Sequence, residues 1–384
     1  MNPLVANKPR IQSIDLLRGL VMVIMALDHV RDYFHADSFI LDPTDLSKTN
    51  VALFATRWIT HFCAPVFMFL SGTSAFLVGQ KKNKKELSIF MLTRGLWLIF
   101  LELTIVGFGW SFQIDIHHFA LQVIWALGAS MVVLSGLIWL PFNAILVIGL
   151  LLVCGHNTLD TVHVPGNTIS AIGWKLLHDP GGLSFSGLNI FVMYPILPWI
   201  GVMALGYCLG KLYSAGFDAR KRKKTLTILG LSVIVIFVAL RFSNLYGDAA
   251  LWSSQPEQVF TILSFFNTTK YPPSLLYLTM TLGPALLFLA YSENIANRFS
   301  GIIKIYGRVP MFYYICHLYL IHLGGVALFF IQGFKTSDFD KGIPPGFGVN
   351  LGMVYLVWLV VIIILYPLCK WYDNYKTNHK EKKL

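Results

Sequence analysis

The sequence predicts an all-α polytopic integral membrane protein with about ten transmembrane helices and both termini in the cytoplasm. Its 384 residues are 55% hydrophobic and 13% charged, whereas a soluble domain has about 25% charged residues. The mean hydropathy is +0.63, and no long polar block separates the apolar runs. We therefore expect one integral domain over residues 1–384, with short cytoplasmic tails at 1–10 and 372–384.

The individual helices are placed where apolar runs approach the ~20 residues that cross a bilayer. They are expected at residues 11–34, 51–79, 87–110, 119–140, 142–154, 190–213, 225–242, 274–292, 304–331 and 350–371. Four longer polar loops lie between them, at 36–50, 155–189, 243–273 and 332–349. Two basic runs also separate predicted helices, KKNKK at 81–85 and RKRKK at 220–224.

The distribution of basic residues tests this arrangement, because Lys and Arg accumulate in cytoplasmic loops. With the N-terminus inside, twenty basic residues fall in inner segments and eight in outer ones. An odd number of spans would move a basic cluster to the wrong side, so an even count is favoured.

The net charge of +11 does not indicate a nucleic-acid partner. The basic residues lie at helix ends, where they contact anionic lipid, and no basic groove rich in aromatic residues is evident. The five cysteines lie in or beside predicted spans and form no CxxC pattern, so neither a disulfide framework nor a cysteine metal site follows. Charges interrupt the N-terminal apolar run, so we expect the first helix to serve as the insertion signal in place of a cleavable one.

The first apolar run carries ionisable residues in a segment that should be apolar. Ionisable groups in membrane spans are costly and usually functional. One helical stripe contains Asp15, Arg18, Met22, Met25 and His29, at steps of +3, +4, +3 and +4. Arg18 and His29 are about 16 Å apart along the helix axis, so this helix could line a path from the cytoplasm into the membrane.

An Arg near the inner surface and a His deeper on the same stripe could form a phosphate site joined to a general base. Arg binds phosphate bidentately, and His can take a proton from an attacking hydroxyl or amine. Asp28 is a candidate to orient the ring, although it projects about 100° away, and a carboxylate from another helix is the alternative. A structural interpretation stays open: Asp15 and Arg18 neutralise a helix start, and Asp28 with His29 marks its wet end.

Four segments resemble the transmembrane acyltransferase superfamily. The first-helix signature of the superfamily is similar to RIQSIDLLRGLVMVIMALDH at 10–29, in which Arg18 and His29 match the Arg-x10-His motif of the acyltransferase-3 branch. The heparan-alpha-glucosaminide N-acetyltransferase catalytic-domain group is similar at FCAPVFMFLSGTSAFLVG (62–79) and FALQVIWALG (119–128). A segment found across these branches is similar to YGRVPMFYYICHLYLIH at 306–322.

The resemblance implies transfer of an acyl group, expected to be acetyl, from cytoplasmic acyl-CoA (acetyl-CoA) to an amino or hydroxyl group of a sugar or glycan across the membrane. It implies that His29 is the base or acyl acceptor and that Arg18 holds the CoA end. In the family's lysosomal enzyme the position matching His29 looks like Asn, and the active His lies a few residues beyond. His35 is therefore kept as the alternative to His29. We expect a multi-pass protein of the plasma (inner) membrane.

Other polar residues in the predicted spans are further candidates. Glu102 is expected to be neutral or paired with Arg94, which lies eight residues earlier. Gln122 lies where the related group also has Gln, and it is a candidate to bind the thioester or the acceptor, or to bond between helices. His118 is expected at the outer mouth of the fourth span.

The ninth predicted helix repeats the pattern of the first. Tyr314 and His317 share a face through i, i+3 spacing, and Arg308 lies nearer the cytoplasm. A second Arg and His helix facing the first would complete a pocket, although a lone helical His is more often a core residue. The histidines show no HxH or HxxxH spacing, so we expect no metal.

A competing interpretation is a secondary transporter or proton-coupled permease, since buried Arg, Glu and His also serve ion and proton paths. Such transporters often show inverted repeats with matched breaks, and we find no internal repeat here. The expected partners are the lipid bilayer and a sugar or glycan acceptor, with no nucleic acid. The oligomeric state stays open, and a homodimer is compatible with the sequence.

Overall fold

A computed structural model describes residues 11–38, 40–339 and 342–379. The helices in these ranges are α1 (Gln12–Phe34), α2 (Val51–Thr60), α3 (Cys63–Gly79), α4 (Lys84–Leu101), α5 (Gly107–Ser111), α6 (Val123–Leu137), α7 (Phe142–Gly155), α8 (Ile169–Leu177), α9 (Leu197–Leu209), α10 (Ala219–Ser243), α11 (Gln258–Phe266), α12 (Leu275–Tyr291), α13 (Arg298–Arg308), α14 (Pro310–Ile331), α15 (Thr336–Phe339) and α16 (Leu351–Asn378). A π-helical segment, Glu102–Val106, joins α4 to α5, and 3-10 turns cover His156–Leu159 and Gly210–Tyr213.

The helical membrane character predicted from the sequence is confirmed. Among the described residues, six helical stretches are long and apolar enough to cross a bilayer: Val51–Gly79, Lys84–Ser111, Phe142–Leu159, Ala219–Ser243, Pro310–Ile331 and Leu351–Asn378. Val123–Leu137 and Leu275–Tyr291 are shorter apolar helices. Each of the ten predicted positions contains a helix, but the count of ten spans and the side of each terminus stay predictions. The predicted tail 1–10 lies outside the described residues, whereas the other tail is helical through Asn378.

A small three-stranded sheet departs from the all-α expectation. Its strands are β1 (His118–Leu121), β2 (Gly181–Phe185) and β3 (Leu188–Val192), in the order β1-β3-β2. The β2 and β3 strands are antiparallel and meet at Ser186 and Gly187, whose positive φ angles of 50° and 82° suit a tight hairpin. The predicted helices 119–140 and 190–213 therefore begin as strands, because an apolar run alone does not separate a strand from a helix that follows it.

Two other predicted helices are interrupted. The segment 304–331 divides at Val309, with φ −127° and ψ 46°, because proline disfavours helical geometry in the residue before it and Pro310 has no N–H to continue the ladder. The segment 51–79 divides at His61 and Phe62, between α2 and α3.

The α1 helix lies at the centre of the molecule and packs against α2, α3, α12, α13, α14 and α16. Its contact with α13 brings two backbones together at two glycines. A Cβ on Gly19 would lie 1.9 Å from the carbonyl oxygen of Ile303, and a Cβ on Gly307 would lie 1.9 Å from that of Asp15. Small residues permit such an approach between membrane helices, so α1 and α13 pack backbone to backbone at Gly19 and Gly307.

Candidate active site

Two histidines form the centre of the site. His29 on α1 and His317 on α14 are both buried, and 2.9 Å separates Nδ1 of His29 from Nε2 of His317. Their rings are stacked, with centroids 4.9 Å apart. The similar Arg and His patterns of the first and ninth predicted helices indicate that these helices face each other. The structure shows this arrangement.

The partners of these rings define their protons. Nδ1 of His317 lies 2.8 Å from the carbonyl oxygen of Tyr313, which can only accept, so this nitrogen carries the hydrogen. In a neutral ring Nε2 of His317 then accepts, and Nδ1 of His29 donates to it. The lone pair of His29 is consequently on Nε2, the nitrogen that could take a proton from a substrate.

Aromatic side chains surround the His29 ring. Trp110 lies edge-on to it at 4.9 Å between centroids, and Tyr314 lies edge-on at 6.0 Å. Tyr33, one turn after His29 on α1, donates to the carbonyl oxygen of Trp110 at 2.7 Å and stacks on its indole. The base therefore lies in a largely aromatic pocket built from α1, α5 and α14.

Glu102 lies at the edge of this pocket, and its predicted pairing with Arg94 is wrong. Its carboxylate Oε2 accepts from the backbone N–H of Trp125 at 2.9 Å and also interacts with the backbone N–H of Gln122, so it caps the positive end of α6. Arg94 is exposed and lies 4.9 Å from the ring centroid of Phe90. Eight helical residues rise about 12 Å, too far for an ion pair.

Gln122 is the residue that precedes α6, and its side chain does not cap that helix.

The π-helical segment that begins at Glu102 contains more residues per turn than an α-helix. Each extra residue rotates the following side chains by about 100°. This rotation helps to bring both Glu102 and Trp110 to the same pocket, and such segments often occur at functional sites.

Asp28 has a different role from the one expected of a ring-orienting residue. Both of its carboxylate oxygens accept from Arg57 Nη1, at 2.9 and 2.8 Å, and it also binds Arg31 at 2.8 Å and the Thr60 hydroxyl at 3.0 Å. The ring nitrogen Nδ1 of His29 is held by His317 instead. The 100° offset between adjacent helical residues explains this division, because Asp28 faces α2 while His29 faces α14.

His35 and His118 lie apart from the histidine pair. His35 follows the end of α1, and its Nδ1 accepts from the backbone N–H of Asp37 at 3.2 Å. Burial lowers the pKa of His35, while the Asp37 carboxylate partly opposes this effect. A small cavity of about 30 Å³ beside it is lined by Arg31, Asp32, His35, Asp37, Ser38, Leu41, Pro43 and Leu53. His118 is exposed and binds Asp115 at 2.7 Å and Asn189 at 3.1 Å, and it lies at the start of β1, before α6, and does not contact the histidine pair.

The two predicted arginines meet at the other end of α1. Nη1 of Arg18 is 3.7 Å from Asp15 Oδ1, and Nε of Arg308 is 3.6 Å from Asp15 Oδ2. Arg18 also donates to the Ser74 hydroxyl at 2.8 Å, and Arg308 binds Asp373 at 3.2 Å. Two guanidinium groups therefore share one carboxylate, about 16 Å of helix rise from the histidine pair.

Comparison with protein families supplies an independent finding. The family model described as "Heparan-alpha-glucosaminide N-acetyltransferase, catalytic" matches residues 10–239, well over half of the 384 residues. The chain belongs to this family. The resemblance inferred from the sequence is thereby confirmed, and family membership indicates a membrane enzyme of the acetyltransferase type. Comparison with curated proteins found no match.

The matched region holds only part of the site. It contains Arg18, His29 and Glu102 but ends before the helices that contribute Arg308, Tyr314 and His317. Sequence reasoning missed four contacts of the candidate residues: Tyr33 and Trp110 near His29, Arg57 on Asp28 and Asp373 on Arg308. Of these, Tyr33 could have been predicted most easily from the sequence, since its i+4 spacing from His29 places it on the same stripe.

In the described ranges, no three His, Cys, Asp or Glu side chains are grouped as a metal site needs.

Proposed function

We propose that this protein is a membrane-embedded acyltransferase that moves an acetyl group from cytoplasmic acetyl-CoA to an amino or hydroxyl group of an extracytoplasmic sugar or glycan. The observation that carries the proposal is the His29 ring, whose Nδ1 is held by His317 so that its lone pair lies on Nε2, and which is surrounded by Trp110 and Tyr314. The proposed location is the plasma (inner) membrane, with both termini in the cytoplasm.

The donor end of the site is proposed to be the Arg18 and Arg308 pair. Guanidinium groups bind phosphate bidentately, and these two already lie on either oxygen of a single carboxylate, that of Asp15. A phosphate of acetyl-CoA would compete with Asp15 for them. The distance of about 16 Å to the histidines suits an extended pantetheine arm.

In the proposed reaction the acceptor nitrogen or oxygen attacks the thioester carbonyl carbon, and its proton moves to Nε2 of His29. The carbonyl π electrons move to oxygen and give a tetrahedral oxyanion. When the carbonyl re-forms, the bond between carbon and sulfur breaks, and the CoA thiolate takes the proton from His29. His317 keeps the ring in the tautomer that leaves Nε2 free to accept.

The test is acetyl-CoA turnover by purified protein in nanodiscs, measured as CoA thiol release with amino sugars and neutral sugars as acceptors. His29→Ala should lower transfer by about 10² to 10⁴, while the matched variant His118→Ala, at an exposed residue outside the pocket, should keep the wild-type rate. A protein that releases no CoA with any acceptor, or a His29→Ala variant that retains the wild-type rate, would contradict the proposal. In the second case, loss of transfer in His35→Ala would move the chemistry to the end of α1.

A further inference from the structure

Two hydrogen-bond donors beside His29 lack ordinary partners. The hydroxyl of Tyr314 and the indole Nε1 of Trp110 are both buried, and neither forms a hydrogen bond of normal length and angle within the described residues. The Trp110 indole N–H lies close enough to the Tyr314 hydroxyl oxygen for a weak hydrogen bond, in which the indole donates. A buried donor without a good partner destabilises a fold, and such groups are rare in native proteins, so a pair beside a base requires an explanation.

The surrounding contacts hold both donors in place. Tyr314 is 3% exposed and lies one helical turn before His317, with ring centroids 5.5 Å apart. The Tyr33 hydroxyl donates to the backbone carbonyl oxygen of Trp110, and the Tyr33 ring stacks on the Trp110 indole. These interactions fix the rings, and neither Oη of Tyr314 nor Nε1 of Trp110 forms an ordinary hydrogen bond within the described residues. Donors fixed before the reaction are the arrangement that stabilises developing negative charge.

The neighbouring acid cannot supply the same hydrogen bond while it is ionised. Glu102 uses Oε2 to accept from the backbone of Trp125, and a carboxylate has no proton to donate. An ionised Glu102 would also repel an anion in the pocket. Tyr314, which interacts electrostatically with Glu102, would lie between that carboxylate and the reacting oxygen.

We propose that Tyr314 Oη and Trp110 Nε1 form the oxyanion hole of this enzyme, which donates two hydrogen bonds to the thioester oxygen in the tetrahedral intermediate. The inference rests on the proposed acyl transfer and adds two catalytic residues to it. When the acceptor attacks, the carbonyl π electrons become a lone pair on this oxygen. Both donors bind that charge, and neither transfers its proton. When the carbonyl re-forms and CoA leaves, the two hydrogen bonds weaken again.

The experiment compares the binding of two unreactive CoA ketones by calorimetry in nanodiscs, so it does not require the acceptor to be known. S-acetonyl-CoA keeps a planar carbonyl group, whereas its trifluoromethyl counterpart adds water and presents a tetrahedral carbon with acidic hydroxyl groups. Wild-type protein should bind the fluorinated ketone more tightly. Tyr314→Phe and Trp110→Phe should each reduce that preference by about 10-fold to 100-fold, the value of a hydrogen bond to a charged group.

The matched control is Tyr213→Phe. Tyr213 also has a buried hydroxyl without an ordinary hydrogen bond, but it lies in the turn Gly210–Tyr213, outside the histidine pocket. This variant should keep the wild-type preference, which separates the loss of a nearby donor from the general effect of removing a buried hydroxyl.

Each other result overturns the inference. If both pocket variants retain the wild-type preference, the oxyanion assignment is wrong, and CoA release by wild-type protein shows whether the proposed function still stands. The same conclusion follows if wild-type protein binds the two ketones equally. If it binds neither ketone and releases no CoA from acetyl-CoA, the proposed function and the oxyanion hole both fail.

Discussion

Replacing His317 tests whether it controls the proton on His29. His317→Leu removes the acceptor that lies 2.9 Å from Nδ1 of His29 and keeps an apolar side chain in the buried space. His317→Gln instead offers an amide oxygen, which can accept the same hydrogen bond. The two variants therefore separate the loss of an acceptor from the loss of an imidazole.

The magnitude follows from the burial of the pair, since both rings are less than a tenth exposed. Leaving the Nδ1 hydrogen of His29 without an acceptor costs about 1 to 3 kcal/mol. A ring that rotates or changes tautomer avoids this cost but no longer presents the Nε2 lone pair to the substrate. If the full penalty appears in the barrier, kcat falls by about 5-fold to 150-fold.

The assay is steady-state CoA release in nanodiscs, with kcat and KM for acetyl-CoA measured separately. His317→Leu should lower kcat by the stated factor with little change in KM, because His317 lies far from the arginine pair. His317→Gln should recover most of the rate. Wild-type kcat in His317→Leu, with wild-type thermal stability, would refute the assigned role of His317.

Four further predictions address the rest of the structure. Arg18→Lys keeps the charge but loses the guanidinium fork, so calorimetry should show weaker acetyl-CoA binding, and unchanged affinity would remove Arg18 from the donor site. Gly307→Ala puts a Cβ 1.9 Å from the carbonyl oxygen of Asp15, so the thermal midpoint should fall, while Gly301→Ala on the same helix, where a Cβ meets nothing within 4 Å, is the control. Asp28→Asn removes the carboxylate that pairs with Arg31 and Arg57. Breaking such a buried pair costs about 3 to 5 kcal/mol, so denaturant unfolding should show a large loss of stability. A reporter fused to the C-terminus should be active in the cytoplasm, and activity on the outer side would contradict the ten-span arrangement with both termini inside.

The sequence predicts the helices of this protein better than its strands. The α1 helix begins and ends within one residue of the predicted bounds, because a long apolar run bounded by polar residues has few alternative structures. The strands β1 and β3 overlap the starts of predicted helices. Their residues belong to apolar runs that continue into α6 or lead towards α9, and pairing between segments about seventy residues apart has no local signal.

The same contrast holds in the candidate site. Spacing along one helix gave the stripe that contains Arg18 and His29, and similar spacing in α14 pointed to His317. Contacts between helices were harder to predict from the sequence. The partner of Glu102 is the N-terminus of α6, and the partner of Asp28 is Arg57. Both outcomes depend on which helices become neighbours, which periodicity does not specify.

The ionisable residues of α1 can be understood from the rotation between consecutive positions. Asp28 and His29 differ by about 100° around the helix axis, so one faces the cations Arg31 and Arg57 and the other faces His317. The carboxylate thus forms a structural ion cluster that fixes α1 against α2, while the imidazole next to it is available for chemistry. Fixing the helix from one side makes the position of His29 on the other side reproducible, and a general base must lie within hydrogen-bond reach of the proton that it takes. Loss of the Asp28 cluster should consequently lower both stability and transfer, whereas loss of the His29 ring should lower transfer alone.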